Sequence, residues 1–400
     1  MSLTVADVEF LHSDRAREFL AKCKECDYAG PNELALLSRL RESLTPRQAS
    51  AVLQTLKLRA KAETKFPGQA QKMLFTDAGL QQTSQPAISK YRARKLASQS
   101  VLDLCCRIGA DTLAFVAAGH EARGLDIDPV RIAIARHNAD ALDLVAQFEA
   151  ADIRQSIPAS HDCIFFDPGR RDAQGRRIHN VERYLPPLSL AREWNAREIL
   201  VKLSPAVDLR QLERYGGCVE FVSLAGNLTE ALLWLNHPSA PPMATQLTEG
   251  GALHFGHERE ARANIAPPSG WLLEPDPAII RAGLVQNLAV KLDAALLDET
   301  IAYMTSDRKS DSPWGRYWQI LDWMPFQLKR LRRYLAERNV SKVTVKKRGF
   351  PLSPEELIAK LRLQKGEEER VLVMTRHGGK PIAIICCARP FGQNERISYN

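Results

Sequence analysis

Apolar positions along the chain follow two rhythms. Over the first hundred residues, "DVEFLHSDRAREFLAKC", "NELALLSRLRESL" and "TPRQASAVLQTLKLRAKAETKF" repeat Leu, Ala, Val and Ile at intervals of three and four. That spacing lines one face of a helix. Thr45 followed by Pro46 supplies a cap and a first helical residue. "MLFTDAGLQQTSQPAISKYRARKLA" becomes helical in its second half and reads as an arm leading into the next domain.

From residue 100 the rhythm shortens. "SVLDLCC", "HEARGLDI", "AQFEAADI", "HDCIFFD" and "REILVKL" are strand-length runs, with helical stretches such as "ADTLAFVAAG" and "DPVRIAIARHNADAL" between the first of them. Strands alternating with helices predict an α/β fold with a parallel, doubly wound sheet. "CVEFVSLAG" and "EALLWLNH" are joined so closely that an antiparallel hairpin at the sheet edge is predicted. The Pro-rich "HPSAPPMAT" marks a boundary. The domains predicted are therefore a helical one over 1–98, the doubly wound one over 99–238, a small α+β unit over 239–325 and a basic segment over 326–400. That last segment alternates the helix "FQLKRLRRYLAERN", the strand "KVTVKKRG", the capped helix "SPEELIAKLRL" and the strands "ERVLVMTRHG" and "KPIAIICCARP".

At 400 residues the chain is too long for a single core, and 45% hydrophobic with 26% charged residues describes an ordered globular protein. No apolar run reaches the ~18 residues of a membrane span. "MSLTVADVEF" carries acids where a secretion signal carries basic residues, so the cytoplasm is expected. Of eight cysteines, Cys105 with Cys106 and Cys386 with Cys387 lie in strand-like runs, where buried free thiols are expected. Cys23 and Cys26 form one CxxC without a second pair, so no metal site is expected. No obligate protein partner is indicated.

The formal charge of +8 is concentrated. Phe326 to Arg362 holds eleven Lys or Arg against three Glu, a surplus equal to that of the whole chain. Such a local excess points to a polyanion.

In an open parallel sheet, ligands bind beyond the carboxyl ends of the strands. Four runs end on an acid: Asp103, Asp126 twenty-three positions later, Asp152 and Asp167. The loop after Asp103, "LCCRIGADT", opens a helix whose free N–H groups suit an anionic group such as a carboxylate. The separation of Asp103 and Asp126 suits an acid that bonds a ribose hydroxyl. A rim of carboxylates disfavours a pyrophosphate and favours a cationic ligand, and GxGxxG is absent. S-adenosylmethionine, with a sulfonium and no phosphate, meets both conditions. No nucleophile elbow or HxxxH spacing offers a rival chemistry.

"VLDLCCRIGADTLAF", "GLDIDP", "AADI" and "FFDPGRR" resemble motifs I to IV of class I S-adenosylmethionine-dependent methyltransferases. "VKLSPAVDL", "GNLTEALLW" and "LLEPDPAIIRAGL" are similar to bacterial members with a C-terminal THUMP-like domain, and "FTDAGLQQTSQPAISKYRARK" resembles their entry helix. The resemblance implies a Rossmann-like sheet followed by ferredoxin-like and THUMP-like α+β domains. It implies that Asp103 and Gly109 shape the cofactor loop, Asp126 holds the ribose, Asp152 lies near the adenine, and Asp167 with Pro168 faces the transferred methyl. Leu104, Cys105, Asp111, Thr112, Ile127 and Ile153 complete the expected cofactor set. Where the family usually has a glycine this chain has Arg107, which narrows the site or adds strain of about 1 kcal/mol.

Around the acceptor, Phe166 is expected beside a base, and Arg170 and Arg171 on phosphates, since cations beside a catalytic rim position a polyanion. Lys202 in "VKLSP" either pairs with Asp167 or touches substrate phosphate. Lys329, Arg330 and Arg333 on the basic helix, with Lys346, Lys347 and Arg348 at a strand end, are the expected RNA contacts of the THUMP-like segment. The expectation is a methyltransferase acting on a base nitrogen of tRNA or rRNA. Methylation of DNA or protein, and an RNA-binding protein whose core has lost turnover, are the alternatives.

Overall fold

The helical start follows from its caps. Thr4 and Thr45 each close a capping box, with Asp7 and Gln48, and Pro46 takes the first helical position. The computed structural model describes residues 2–24, 26, 31–155, 161–258 and 260–389. It divides into two compact units, one of residues up to 218 with 231–239, the other of 219–230 with residues from 240 onward.

In the first unit, helices α1 (Val5–His12), α2 (Asp14–Lys22), α3 (Pro31–Arg41), α4 (Pro46–Ala62), α5 (Asp77–Gln82) and α6 (Pro86–Lys95) precede the sheet. α4 is the spine of this layer, with Ala49, Val52, Leu53 and Leu56 buried at helical spacing. The sheet alternates β1 (Ser100–Leu104), α7 (Ala110–Ala117), β2 (Glu121–Asp126), α8 (Pro129–Ala141), β3 (Gln147–Ala150), β4 (Cys163–Phe166) and β5 (Glu198–Leu203). Asn138 of α8, fully buried, ties the layers together. Its carboxamide donates to the carbonyls of Leu74 and Ile108 and accepts from the Leu74 N–H at 2.7 Å.

Next come β6 (Cys218–Leu224), β7 (Asn227–Leu235), β8 (Ala240–Thr248) and β9 (Gly251–Phe255), giving the strand order β3-β2-β1-β4-β5-β7-β6-β8-β9. β1 to β5 are parallel, and β7 runs antiparallel to β5. The strand order reverses between β1 and β4, which places the ligand crevice at their carboxyl ends.

The antiparallel edge expected of this sheet is present, and β8 and β9 follow the β6–β7 pair in it. The segment "HPSAPPMAT" contains the division between the two units after residue 239, and its prolines Pro241 and Pro242 occupy the start of β8, where a missing N–H is tolerated.

The second unit continues with β10 (Trp271–Pro275), α9 (Pro277–Arg281), α10 (Val285–Lys291), β11 (Ala295–Asp298), β12 (Ile301–Ser306), β13 (Gly315–Pro325), α11 (Leu328–Glu337), β14 (Val340–Lys347), α12 (Pro354–Leu361), β15 (Glu368–His377) and β16 (Lys380–Cys387). Their strands form one sheet of order β11-β12-β10-β13-β16-β15-β14. The expected division at residue 325 falls inside this sheet, because β13 pairs along its second half with β16. Alternate residues explain the continuous apolar runs. Leu372, Met374, Ala383 and Ile385 pack with Leu331, Leu335 and Leu357 of the helices. Val371, Val373, Ile382 and Ile384 pack with Leu272, Tyr303 and Trp318 on the other face.

Candidate donor and acceptor site

The loop from β1 to α7 turns through three residues of positive φ: Cys105 at 65°, Arg107 at 56° and Gly109 at 80°. Gly109 has a second reason to be glycine, since a Cβ there would lie 2.9 Å from Ala135 Cβ and from the Phe148 ring. Arg107 is not glycine, and its left-handed backbone costs about 1 kcal/mol. Its N–H donates to Asp126 Oδ2 at 3.0 Å, which offsets that strain.

Asp103, in β1, is buried. Its Oδ2 accepts from Thr112 Oγ1 at 2.5 Å, and its Oδ1 has no hydrogen-bond partner. Burial, reinforced by the Asp111 charge, pushes its pKa up to about 8. Asp111 goes the other way. Burial alone would raise its pKa, but Arg92, Lys202 and the Ser89 hydroxyl hold it below the ordinary value. Arg92 is fully buried, pairs with Asp111, and lies 4.9 Å from the Phe165 ring centre.

Asp167 follows β4 and is buried. Lys202 Nζ donates to its Oδ2 at 2.9 Å and to Ser84 Oγ at 2.8 Å. The Arg107 guanidinium lies 3.5 Å from the same oxygen. Burial opposes ionisation of Asp167, yet Arg107, Lys202 and Arg170 together carry its pKa far below the usual carboxylate range. Its Oδ1 is without a partner. Lys202, 4% exposed, is thus the internal partner of Asp167 rather than a surface cation.

Gln82, Thr83, Asp103, Arg107, Asp111 and Asp167 line one cavity. The arm of α5 and α6 therefore walls the site. Sequence reasoning missed its contributions from Ser84, Ser89 and Arg92. Lys65 fastens the arm from outside, donating to the carbonyls of Leu80, at 2.9 Å, and Thr83. Burial, with the Lys202 charge, lowers its pKa to about 8. Cations within the site balance carboxylates there: Arg92 pairs with Asp111, and Arg107 and Lys202 with Asp167.

At the end of β2, Asp126 Oδ1 accepts from the Asp128 N–H at 3.0 Å and lies 3.4 Å from Arg131. Ile127 beside it is 59% exposed. Asp152 is held by Arg154 at 2.8 and 2.6 Å, which lowers its pKa, and Ile153 is buried. Leu104 and Thr112 are fully buried, so they support the site from the core.

Phe166 does not present itself to a substrate, and this corrects the expectation. It is fully buried edge-on to Trp194, because β4 is central and covered on both faces. Beyond Pro168, a small loop is closed by a bridge between Arg171 and Arg177 and by Asp172 accepting from Arg176. Arg170 is half-buried; Arg171, Arg176 and Arg177 are exposed.

In the second unit, Lys329, Arg330 and Arg333 are exposed on α11, as is Lys347 at the end of β14. Lys346 and Arg348 differ. Both pair with Glu274, at 2.5 and 3.2 Å, and lie over Trp318 and Tyr303, so they are engaged internally. Among the described residues no group of His, Cys, Asp or Glu could hold a metal ion, and no helix is long and apolar enough to cross a membrane. All eight cysteines are free thiols.

Comparison with known proteins agrees with this geometry. Residues 315–388 match a THUMP domain-like family, and residues 4–62 match a domain of unknown function, DUF8688. An uncharacterised S-adenosylmethionine-dependent methyltransferase of Mycobacterium tuberculosis (strain ATCC 25618 / H37Rv) is 34% identical over 312 residues, covering 76% of this chain and 85% of that protein. An uncharacterised RNA methyltransferase of Parasynechococcus marenigrum (strain WH8102) is 35% identical over 86 residues, 20% of this chain and 18% of that one. The fold matches the crystal structure of an inferred methyltransferase from Porphyromonas gingivalis W83, with TM-score 0.75 at 22% identity over 90% of this chain and 99% of that one. The chain belongs to the S-adenosylmethionine-dependent methyltransferases, with S-adenosylmethionine as methyl donor and a THUMP-like domain beside the catalytic fold.

Proposed function

We propose that this methyltransferase modifies a base nitrogen of structured RNA, with tRNA or rRNA as the substrate class. The observation that carries this reading is at the end of β4. Asp167 is buried and ionised with Oδ1 lacking a partner, and the chain just beyond it carries Arg170, Arg171, Arg176 and Arg177. The exposed cations of α11 and Lys347, the THUMP domain-like match and the partial likeness to an RNA methyltransferase support the same class of acceptor.

The groups present fit the donor. Asp103 Oδ1, buried and without a partner, would meet the ammonium of the amino-acid end, which would draw off the proton that burial otherwise keeps on this carboxyl. Asp126 would hold the ribose hydroxyls, its carboxylate already oriented by the N–H groups of Arg107 and Asp128. Exposed Ile127 would give the adenine an apolar face, with Asp152 and Ile153 beyond it. Bound there, S-adenosylmethionine supplies a methyl on a cationic sulfur, an electrophile that needs an aligned acceptor and no covalent help from the protein.

Asp167 Oδ1 accepts a hydrogen bond from the acceptor N–H and turns the nitrogen lone pair toward the methyl. Held so far below the ordinary carboxylate pKa, Asp167 orients the acceptor rather than keeping its proton, which leaves to water as the N–C bond forms at the expense of the methyl's bond to sulfur, whose electron pair stays on sulfur. Lys202 fixes the carboxylate by bonding Oδ2 and Ser84 together. Pro168 stiffens the turn that follows. Arg170 and Arg171 bind phosphates, which position the substrate without reading its sequence.

The test uses RNA, DNA and protein fractions from a strain lacking this protein, incubated with purified enzyme and tritium-labelled methyl donor. Label is expected in RNA, in a nitrogen-methylated nucleoside, and reduced about 10²-fold or more by Asp167→Ala. Label confined to DNA or to protein overturns the RNA assignment.

A further inference from the structure

Arg107 is placed unusually for a residue of the cofactor loop. Its backbone has φ 56° and points its N–H at Asp126. Its side chain, 11% exposed, crosses the cavity instead of leaving it. NH1 donates to the Gln82 carbonyl at 3.4 Å, and NH2 donates to the Asp167 carbonyl at 3.4 Å and lies 3.5 Å from Asp167 Oδ2. One guanidinium thus joins the loop, the arm and the carboxylate at the end of β4.

Every one of these contacts is long. A charge-assisted N–H···O bond closes to about 2.7–2.9 Å when nothing restrains it. Lys202 reaches that length on the same Oδ2, at 2.9 Å. Of the two cations within 4 Å of Asp167 Oδ2, Arg107 is therefore the farther, buried yet loosely held. Two cations on one carboxylate also repel each other, and such a partner is the one that a competing cation can remove.

We infer that Arg107 is a specificity-determining residue of the donor site, an internal cation that exchanges with the donor's sulfonium for the Asp167 carboxylate. With donor bound, Arg107 leaves Asp167. After transfer the sulfur is an uncharged thioether one methyl smaller, and Arg107 returns, so Asp167 is not left short of positive charge in a buried site. Arg107 thereby weakens binding of the charged donor while leaving the uncharged product nearly unaffected. This inference rests on Asp167 facing the transferred methyl and not on the identity of the acceptor, so the two can fail separately.

The test is titration calorimetry of the full chain, without acceptor, using S-adenosylmethionine and S-adenosylhomocysteine. Arg107→Gln is expected to tighten the donor by about five- to tenfold and the product by less than about twofold. Arg107→Lys, which keeps the charge, is expected to stay closer to wild type than Arg107→Gln does. In an Asp167→Asn background the donor-specific effect of Arg107→Gln is expected to vanish, since the carboxylate competed for is gone. Thermal melting of each variant shows whether it is folded, and hydrogen exchange at residues 79–84 reports the lost Gln82 link independently of any ligand. Equal changes for donor and product, weaker donor binding in Arg107→Gln, or an undiminished effect in the Asp167→Asn background would each overturn the exchange.

Discussion

Replacing Lys202 by Met keeps the length of an aliphatic side chain and deletes a charge 2.9 Å from Asp167 and 4.0 Å from Asp111. Asp111 retains Arg92, so the loss falls on Asp167, whose remaining close cation is Arg107 at 3.5 Å. Breaking a buried ion pair typically costs about 3–5 kcal/mol, because the stranded charge stays desolvated. Arg107 moderates this toward about 3 kcal/mol, which at about 2–4 °C per kcal/mol for a domain of this size lowers Tm by about 6–12 °C. The pH dependence identifies the cause. Wild-type Asp167 has a folded pKa below its unfolded value, so its contribution is present above that unfolded value and lost as pH falls through the folded one. In Lys202→Met that cation is gone while Arg107 and Arg170 remain, so the folded pKa of Asp167 rises and protonation relieves more of the variant's loss than of wild type's. The gap between wild type and variant should therefore narrow as pH falls into the acid carboxylate range, in urea unfolding followed by circular dichroism, and Asp167→Asn added to Lys202→Met should recover most of the loss. A cost below about 1 kcal/mol, or a gap that widens toward acid, would refute the account of Asp167 as a buried anion held by Lys202.

Asp103 titrates in the opposite sense. Its folded pKa of about 8 lies above the ordinary 3.8, so between those values the native state holds a proton that the unfolded state has released, and stability falls as pH rises through the window. Asp103→Asn should flatten the decline between about pH 5 and pH 8, read by denaturant titration at each pH. Gly109→Ala meets Ala135 and Phe148 at 2.9 Å at a φ of 80°; a cost of about 2–4 kcal/mol and weaker donor binding are expected, by melting and calorimetry. Gln at Lys329, Arg330 and Arg333 together should leave Tm unchanged, since all three are exposed, while weakening RNA binding and lowering its salt slope by up to about 3.

What could be read from sequence is what local pattern encodes. β1, β4 and β5 are buried along nearly their whole length, so each appears as a dense apolar run, and their order with α7 and α8 follows from alternation. Asp103 and Asp167, which line one cavity, stand out in the sequence because ligands in such a sheet bind beyond the strand ends. Phe166 was misplaced because a strand-end aromatic looks the same whether its face is covered by Trp194 or by a ligand. Lys346 and Arg348 looked like part of a basic surface because their partner, Glu274, lies more than seventy positions earlier. The balancing cations were hidden for the same reason of distance, with Arg92 meeting Asp111 and Lys202 meeting Asp167 across separate elements. Physics still offered a signal. A carboxylate ended on a buried strand cannot remain charged without a partner. An acid ending a buried strand therefore demands a cation from a buried segment elsewhere, and "EILVKL" contains one, Lys202, whereas "ISKYRARKLA" holds four cations of which only Arg92 is fully buried. Lys202 is thus marked by the same burial that makes β5 readable, while Arg92 is singled out from its neighbours only by the fold that seats it against Asp111.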